Sequence, residues 1–158
     1  VKQIFVSPDY VAKVDDADYD LVSAYKWWSV RHRHGGLATV YAWARRKNGT
    51  KVSMHGLLVP HADHHNNDGL DNQRDNLRPA TQSQNRMNTR KTVSPTSSKF
   101  KGVCWHKKAK KWMASIKINH TPRYLGLFIE EYEAAEAYDE AAKQLFGEFA
   151  QPNFTEAL

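Results

Sequence analysis

The sequence predicts an α+β protein in two parts: a β-rich N-terminal region, then a three-stranded antiparallel sheet packed on one α-helix. Three observations carry this. Upstream of residue 60, apolar and β-branched residues come in short runs broken by polar turns. In KWMASIKIN, Trp112, Ala114, Ile116 and Ile118 alternate with Met113, Ser115, Lys117 and Asn119, the period of a half-buried strand. In IEEYEAAEAYDEAAKQLFG, residues Ala134, Ala135, Tyr138, Ala141, Ala142 and Leu145 recur at helical spacing, with Gly147 placed to stop the helix.

Along the chain, strands are expected over Gln3 to Val6, Val11 to Val14, Trp27 to Val30, Thr39 to Ala44 and Lys51 to Met54. Asp15 and Asp16 precede a short helical pattern through Leu21, Val22 and Tyr25, and as first-turn acids they are expected to cap it. Thr81 and Gln84 have capping-box spacing, so TQSQNRMNTR is expected to open a helix at Thr81. RKTVSPTSSK has linker composition and sets a boundary near residue 95. GVCW and RYLGLF flank the alternating strand and complete a meander. Trp105 and Trp112 read as core residues of this small sheet, with base stacking as the alternative.

With 158 residues, 41% of them hydrophobic, the chain can bury one modest core or two small ones. A single cysteine, Cys104, excludes an internal disulfide and a Cys-x-x-Cys zinc site. No apolar run approaches the roughly 18 residues of a membrane span, and VKQIFVSPDY lacks a signal-peptide core, so a cytoplasmic address and no membrane partner are expected. The net charge of +6 is unevenly placed. Between Asp75 and Glu130 there is no acid, while Arg78, Arg86, Arg90, Lys91, Lys99, Lys101, Lys107, Lys108, Lys110, Lys111, Lys117 and Arg123 fall in that window. Such a run repels itself and suits a phosphate backbone as its expected partner. No obligate protein partner is inferred.

Residues 62–78, ADHHNNDGLDNQRDNLR, hold almost no apolar side chain that would order them. A stretch of this kind is a disordered loop or a site. With its flanks, VPHADHHNNDGLDNQRDNLRPATQSQN resembles the HNH nuclease motif, and the likeness continues weakly upstream through YVAKVDDADYD, KWW and MHGLLV. The resemblance implies a ββα-metal fold over about residues 54–92 within a nuclease domain of residues 1–92. In it Asp63 and His64 match the strand-end element, Asn76 the loop asparagine and Asn85 the helix ligand.

Phosphodiester hydrolysis needs a nucleophilic water, charge stabilisation and in-line alignment, which a divalent cation and one base supply. Asp63 and Asn85 offer oxygen donors suited to Mg²⁺, with Mn²⁺ as a substitute. The His64 imidazole, neutral at pH 7, is the expected general base. On a regular strand it points away from Asp63 unless the chain bends at the strand's end. Asn76 is expected to structure the loop, accepting from and donating to its backbone. Two other readings exist: a zinc site of His55, His61, His64 and His65, and, in DGLDN, a calcium loop that lacks its later bidentate Glu.

Downstream, FKGVCW, KKWMASIK, YLGLF, EEYEAAEAYDEAA and PNF resemble the Apetala-two / ethylene-response-factor DNA-binding domain, over residues 99–158 after a linker at 93–98. The resemblance implies double-stranded DNA as the partner, with a three-stranded sheet in its major groove and the helix behind it. Lys101, Ser115, Lys117 and Tyr124 match contacting positions, Arg123 adds a strand cation, and Lys107, Lys108, Lys110 and Lys111 occupy the first hairpin turn. Cys104 and His106 stand where that family usually has Arg, so its base preference does not carry over. The combined expectation is a metal-dependent, site-preferring nicking or homing endonuclease of a bacterial or phage-infected cell. The alternative is a catalytically inactive DNA-binding regulator on a decayed nuclease fold.

Overall fold

The computed structural model describes residues 1–34, 37–91, 96–119 and 121–154. It is a mixed α+β fold of two compact units, Val1–Thr81 and Gln82–Leu158. No helix among the described residues is long and apolar enough to cross a membrane.

In the first unit, strands form where the short apolar runs lie: β1 (Lys2–Ser7), β2 (Tyr10–Val14), β3 (Trp27–His34), β4 (Leu37–Arg45) and β5 (Lys51–Ser53). They make one sheet in the order β2-β1-β3-β4-β5. All neighbours are antiparallel except β1 and β3, whose parallel pairing follows the crossover through the short helix α1 (Tyr19–Ser23). Alternation puts Ala42 and Ala44 of β4 into a core with Val6, Val14, Val22, Trp27 and Met54. Fully burying a side chain such as Met54 or Val6 contributes about 1.5–3 kcal/mol. After β5 the chain forms α2 (Met54–Leu58), capped where Ser53 Oγ accepts from the Gly56 N–H at 3.2 Å. Then β6 (Ala62–His64) and β7 (Leu77–Pro79) pair antiparallel, and Ala62 and Leu77 join the same core.

The acids before α1 do not cap it. Neither Asp15 nor Asp18 makes a side-chain cap bond. Asp15 accepts from the Arg74 backbone N–H at 2.8 Å, and buried Asp18 takes Arg74 Nε and Nη2 at 2.8 and 2.7 Å. A bidentate guanidinium offers stronger charge-assisted bonds than the exposed amides of a short helix.

The second unit opens with α3 (Gln82–Met87). Strands β8 (Val103–His106), β9 (Lys111–Ile118) and β10 (Thr121–Phe128) follow, antiparallel in the order β10-β9-β8, and then helix α4 (Glu131–Phe146). Ala134 and Ala135 bring α4 close to Val103 and Ala114, while Tyr138 and Ala142 pack on Ile116. Ala141 is half-buried and Leu145 exposed, so the apolar stripe is narrower than its spacing suggests. The helix stops at Gly147, φ +53°. Gly102, at φ +77°, lies against the Tyr138 ring, where any Cβ would collide.

The described part of the expected linker, residues 96–98, bonds to the second unit. Ser97 Oγ accepts from the Trp105 N–H and Ser98 Oγ from the Phe100 N–H, at 2.8 and 2.9 Å; residues 92–95 lie outside the described residues. The division between units falls before α3 instead of near residue 95. The reason is local: Lys101 Nζ donates to the Met87 and Thr89 carbonyls at 2.9 and 2.7 Å, satisfying the C-terminal end of α3 from within the second unit.

Buried Asp139 ties the C-terminal segment to α4. Its Oδ1 accepts from Asn153 N and Nδ2 at 2.8 and 2.9 Å, and its Oδ2 accepts from Phe154 N at 2.9 Å. Asn153 in turn brackets the Lys101 peptide, its Oδ1 accepting from Lys101 N and its Nδ2 donating to Lys101 O. Asp139→Ala strips three donors of their acceptor and is expected to destabilise the second unit by about 3 kcal/mol. Urea unfolding followed by circular dichroism measures this, and Asp139→Asn, which keeps one acceptor oxygen, should lose clearly less.

Candidate active site

Strands β6 and β7 bring Asp63 opposite Arg78 and His64 opposite Leu77. Asp63 and His64 are both buried, at 6% and 5% exposure, although they are neighbours on a strand. Between the strands, residues 65–76 are ordered by polar groups. Asn66 Oδ1 accepts from Asp68 N and Asp68 Oδ1 from Leu70 N, at 2.8 and 3.0 Å, two successive side-chain turns. Asn76 reaches back across the loop, its Oδ1 accepting from Asn66 N at 3.0 Å and its Nδ2 donating to Asp71 O at 2.7 Å.

The loop is also fastened to the sheet. The Lys13 N–H of β2 donates to Leu70 O, and Asn72 N donates to Lys13 O, both at 2.8 Å. Arg74, held by Asp15 and Asp18, fixes the far side. Buried Gly69 passes directly over the Val40 carbonyl and the Tyr41 ring, leaving no room for a Cβ.

These contacts close a polar pocket around His64. Its Nε2 lies 3.3 Å from Oδ1 of Asn72, whose side chain is wholly buried. Its ring packs against Tyr41 and edge-on against His55, with centroids 5.7 and 4.9 Å away. Burial pushes the His64 imidazole below its ordinary value, while the Asn72 bond and the carboxylates of Asp63, Asp68 and Asp71 push the other way. His55, bonded through Nε2 to Ser53 Oγ at 3.0 Å, is lowered to about 4 by burial and then by His64 and His32. Burial and Asp63 raise Tyr41, against a bond from the Thr39 side chain. The pocket therefore holds two neutral imidazoles at neutral pH beside the Asp63 carboxylate. Asn72, His55 and Tyr41 carry no signal in the local sequence, because register and loop docking bring them to His64.

Asp63 Oδ2 meets Arg78 Nη2 at 3.2 Å. Asn85 sits exposed on α3, in the second unit. His65 and His61 are exposed, and among the described residues no three His, Cys, Asp or Glu side chains cluster around a metal position, so the four-histidine zinc reading fails. The donor set around β6 is instead one carboxylate and a neutral imidazole, without thiolate, which is chemistry for a hard, water-retaining cation.

In the second unit the outer face of the sheet carries Ser115 opposite exposed Tyr124, with exposed Lys117 on the same face. The exposed lysines 107, 108, 110 and 111 surround the β8–β9 turn. Arg123 departs from this set: it pairs with buried Ile116, and the register turns it toward the helix side. Lys101 departs too, because its ammonium is held by backbone carbonyls, with burial lowering it to about 8 against the pull of Asp139. Trp105 and Trp112 form a T-shaped pair with centroids 5.1 Å apart, on the helix side. Trp112 borders the core and Trp105 is 39% exposed at its rim.

The first unit is thus a mixed α+β fold with a buried His64 beside Asp63 on a polar hairpin. Comparison with known proteins gives a distant relative: a protein of Acanthamoeba polyphaga mimivirus named an uncharacterized HNH endonuclease, 37% identical over 99 residues. The match covers 61% of this chain and 47% of that protein, so the chain spans about half the length of its relative. No family model matches the chain. No solved structure matches it either.

The depressed histidines give a pH dependence. His55 binds its proton near 6.5 in the unfolded chain and near 4 in the fold, so between these values the unfolded state holds more protons. Stability is complete above about pH 6.5 and falls as the pH drops toward 4, by up to about 1.4 kcal/mol per pH unit for this group, with His64 adding in the same direction. Urea midpoints of the intact protein across this range should show the decline, and His55→Asn should flatten it.

Proposed function

We propose that the chain is a metal-dependent DNA endonuclease of the HNH type, a site-preferring nicking or homing enzyme. In this reading residues 1–92 carry the chemistry, and residues 99–158 act as an Apetala-two / ethylene-response-factor type module that selects the target. One observation carries it: a buried, neutral His64 beside the Asp63 carboxylate, held by Asn72 on a hairpin whose loop Asn76 fastens.

His64 is the general base, taking the proton of the attacking water. Asn72 Oδ1, 3.3 Å from Nε2, orients the imidazole for this role. Burial keeps the imidazole unprotonated and ready at neutral pH. Asn76 holds the loop in shape and touches no reacting atom. Asp63 and Asn85 are the proposed oxygen ligands of Mg²⁺ or Mn²⁺, as the HNH resemblance implies. When bound, the cation supplies Lewis-acid stabilisation of charge on the phosphoryl and departing oxygens. Arg78, paired with Asp63, adds a fixed positive charge next to the scissile phosphate. A single such site hydrolyses one strand per encounter, which favours nicking by a monomer. The exposed lysines 107, 108, 110 and 111 supply phosphate contacts, and Ser115, Lys117 and Tyr124 face the groove.

Supercoiled plasmid incubated with Mg²⁺, against an EDTA control, tests the activity. His64→Ala is expected to slow cleavage about 10²- to 10⁴-fold with DNA affinity nearly unchanged, and Asp63→Ala and Asn85→Ala to raise the metal concentration for half-maximal rate. Binding by wild type with no metal-dependent cutting would favour the inactive-regulator alternative. For the C-terminal module, replacing Lys107, Lys108, Lys110 and Lys111 together by Gln should reduce the slope of log affinity against log salt by about 3 to 4. Tyr124→Ala should change sequence preference and leave that slope almost intact.

A further inference from the structure

The first unit holds a basic cleft that the site around His64 does not use. At the end of the sheet where β3 starts and β4 stops, a cleft of about 1010 Å³ is lined by Tyr25, Lys26, Trp28, Arg45, Arg46 and Lys47. All four cations are exposed, while both aromatic rings are half-buried and form its floor. Asp20 is the one acid of the lining. The arrangement is rigid. In the turn after β4, Arg46 N donates to Thr50 O at 2.8 Å and Gly49 N to Arg46 O at 2.9 Å. Asn48 Oδ1 accepts from both the N–H and the hydroxyl of Thr50, and Arg45 Nη1 donates to Gly49 O at 3.0 Å. Arg46 and Lys47 are thus presented from a fixed hairpin end.

The sheet links this cleft to the pocket. Because Ala42 and Ala44 face the core, Tyr41, Trp43 and Arg45 project from the other face of β4. Trp28 pairs with Trp43 and shares that face. Tyr41 touches the His64 ring, and Arg45 lies four residues further along, about 13 Å of strand. One sheet face therefore leads from His64 to a cluster of four cations over aromatic rings.

We infer that this cleft binds the DNA backbone flanking the cleavage position, with Lys26, Arg46 and Lys47 on phosphates and Arg45 bridging toward the pocket. The inference rests on the nuclease reading for its substrate. Clustered cations attract a polyphosphate by charge, and aromatic rings accept sugar and base faces. The cleft makes the nuclease unit a DNA-binding surface in its own right.

The test uses the full chain in EDTA, with equilibrium binding to a short fluorescein-labelled duplex over a salt series, so that cutting plays no part. Lys47→Glu is expected to weaken binding at least about fivefold at low salt. Lys2→Glu makes the same charge change on β1, away from the cleft, and should cost less than about twofold. The neutral double variant Arg46→Gln/Lys47→Gln should lower the salt slope by about 2, with circular dichroism checking its fold. Equal losses for Lys47→Glu and Lys2→Glu, or an unchanged slope in the double variant, would overturn the inference. The two readings fail separately. A protein that binds through the cleft but never cuts with Mg²⁺ loses only the nuclease assignment, and one that cuts with unaltered Lys47→Glu affinity loses only the cleft.

Discussion

The first unit depends on ordering a polar loop that has no core of its own. Fixing a residue's backbone costs about 1–2 kcal/mol, and between His64 and Leu77 only Leu70 carries a large apolar side chain. Main-chain bonding to both polar groups of Lys13, and the Asp18–Arg74 pair, compensate where burial cannot. Every other feature of the pocket follows. Asn72 reaches His64 because its own N–H is pinned to β2, and Asn76 spans the loop because both ends of the loop are already placed.

Burial does electrostatic work here without a buried charge pair of ideal geometry. Tyr41 and His55 pack on His64, and burial keeps its ring neutral against three nearby carboxylates. The Asp63–Arg78 contact at 3.2 Å is longer than a tight charge-assisted bond. The proposed base and the proposed ligand thus sit side by side, the imidazole held neutral by burial and the carboxylate paired with Arg78.

What the sequence made legible was whatever repeats. The two-residue period of β9 and the helical stripe ended by Gly147 place the second unit's sheet and helix closely, and short apolar runs place the five strands of the first unit's larger sheet. Asp63, His64 and Asn76 stand out in the sequence because their residue types match the motif's spacing. Asn72 lies between them and looks like any loop asparagine, since its meaning comes from a bond to a strand far upstream. Asp15 reads as a helix-capping acid for the same reason: its partner, the Arg74 N–H, has no periodic relation to it. Lys101 matches a DNA-contacting position in the resemblance, while nothing periodic announces that its ammonium meets the carbonyls ending α3. Arg123 pairs with Ile116, on the face opposite its neighbour Tyr124.

Both units are closed by polar clasps joining points far apart in the chain. Arg74 and Asp18 are separated by 56 positions, and Asn153 and Lys101 by 52. Hairpins such as β8–β9 and β9–β10 need only local encounters, which are fast. The clasps require long loops to close before any bond rewards them, so they belong to the last step of folding. In the first unit that late step is also the one that shapes the loop around His64. The molecule acquires its sheets early and its pocket late, and a chain stalled between the two has a formed scaffold with no organised site.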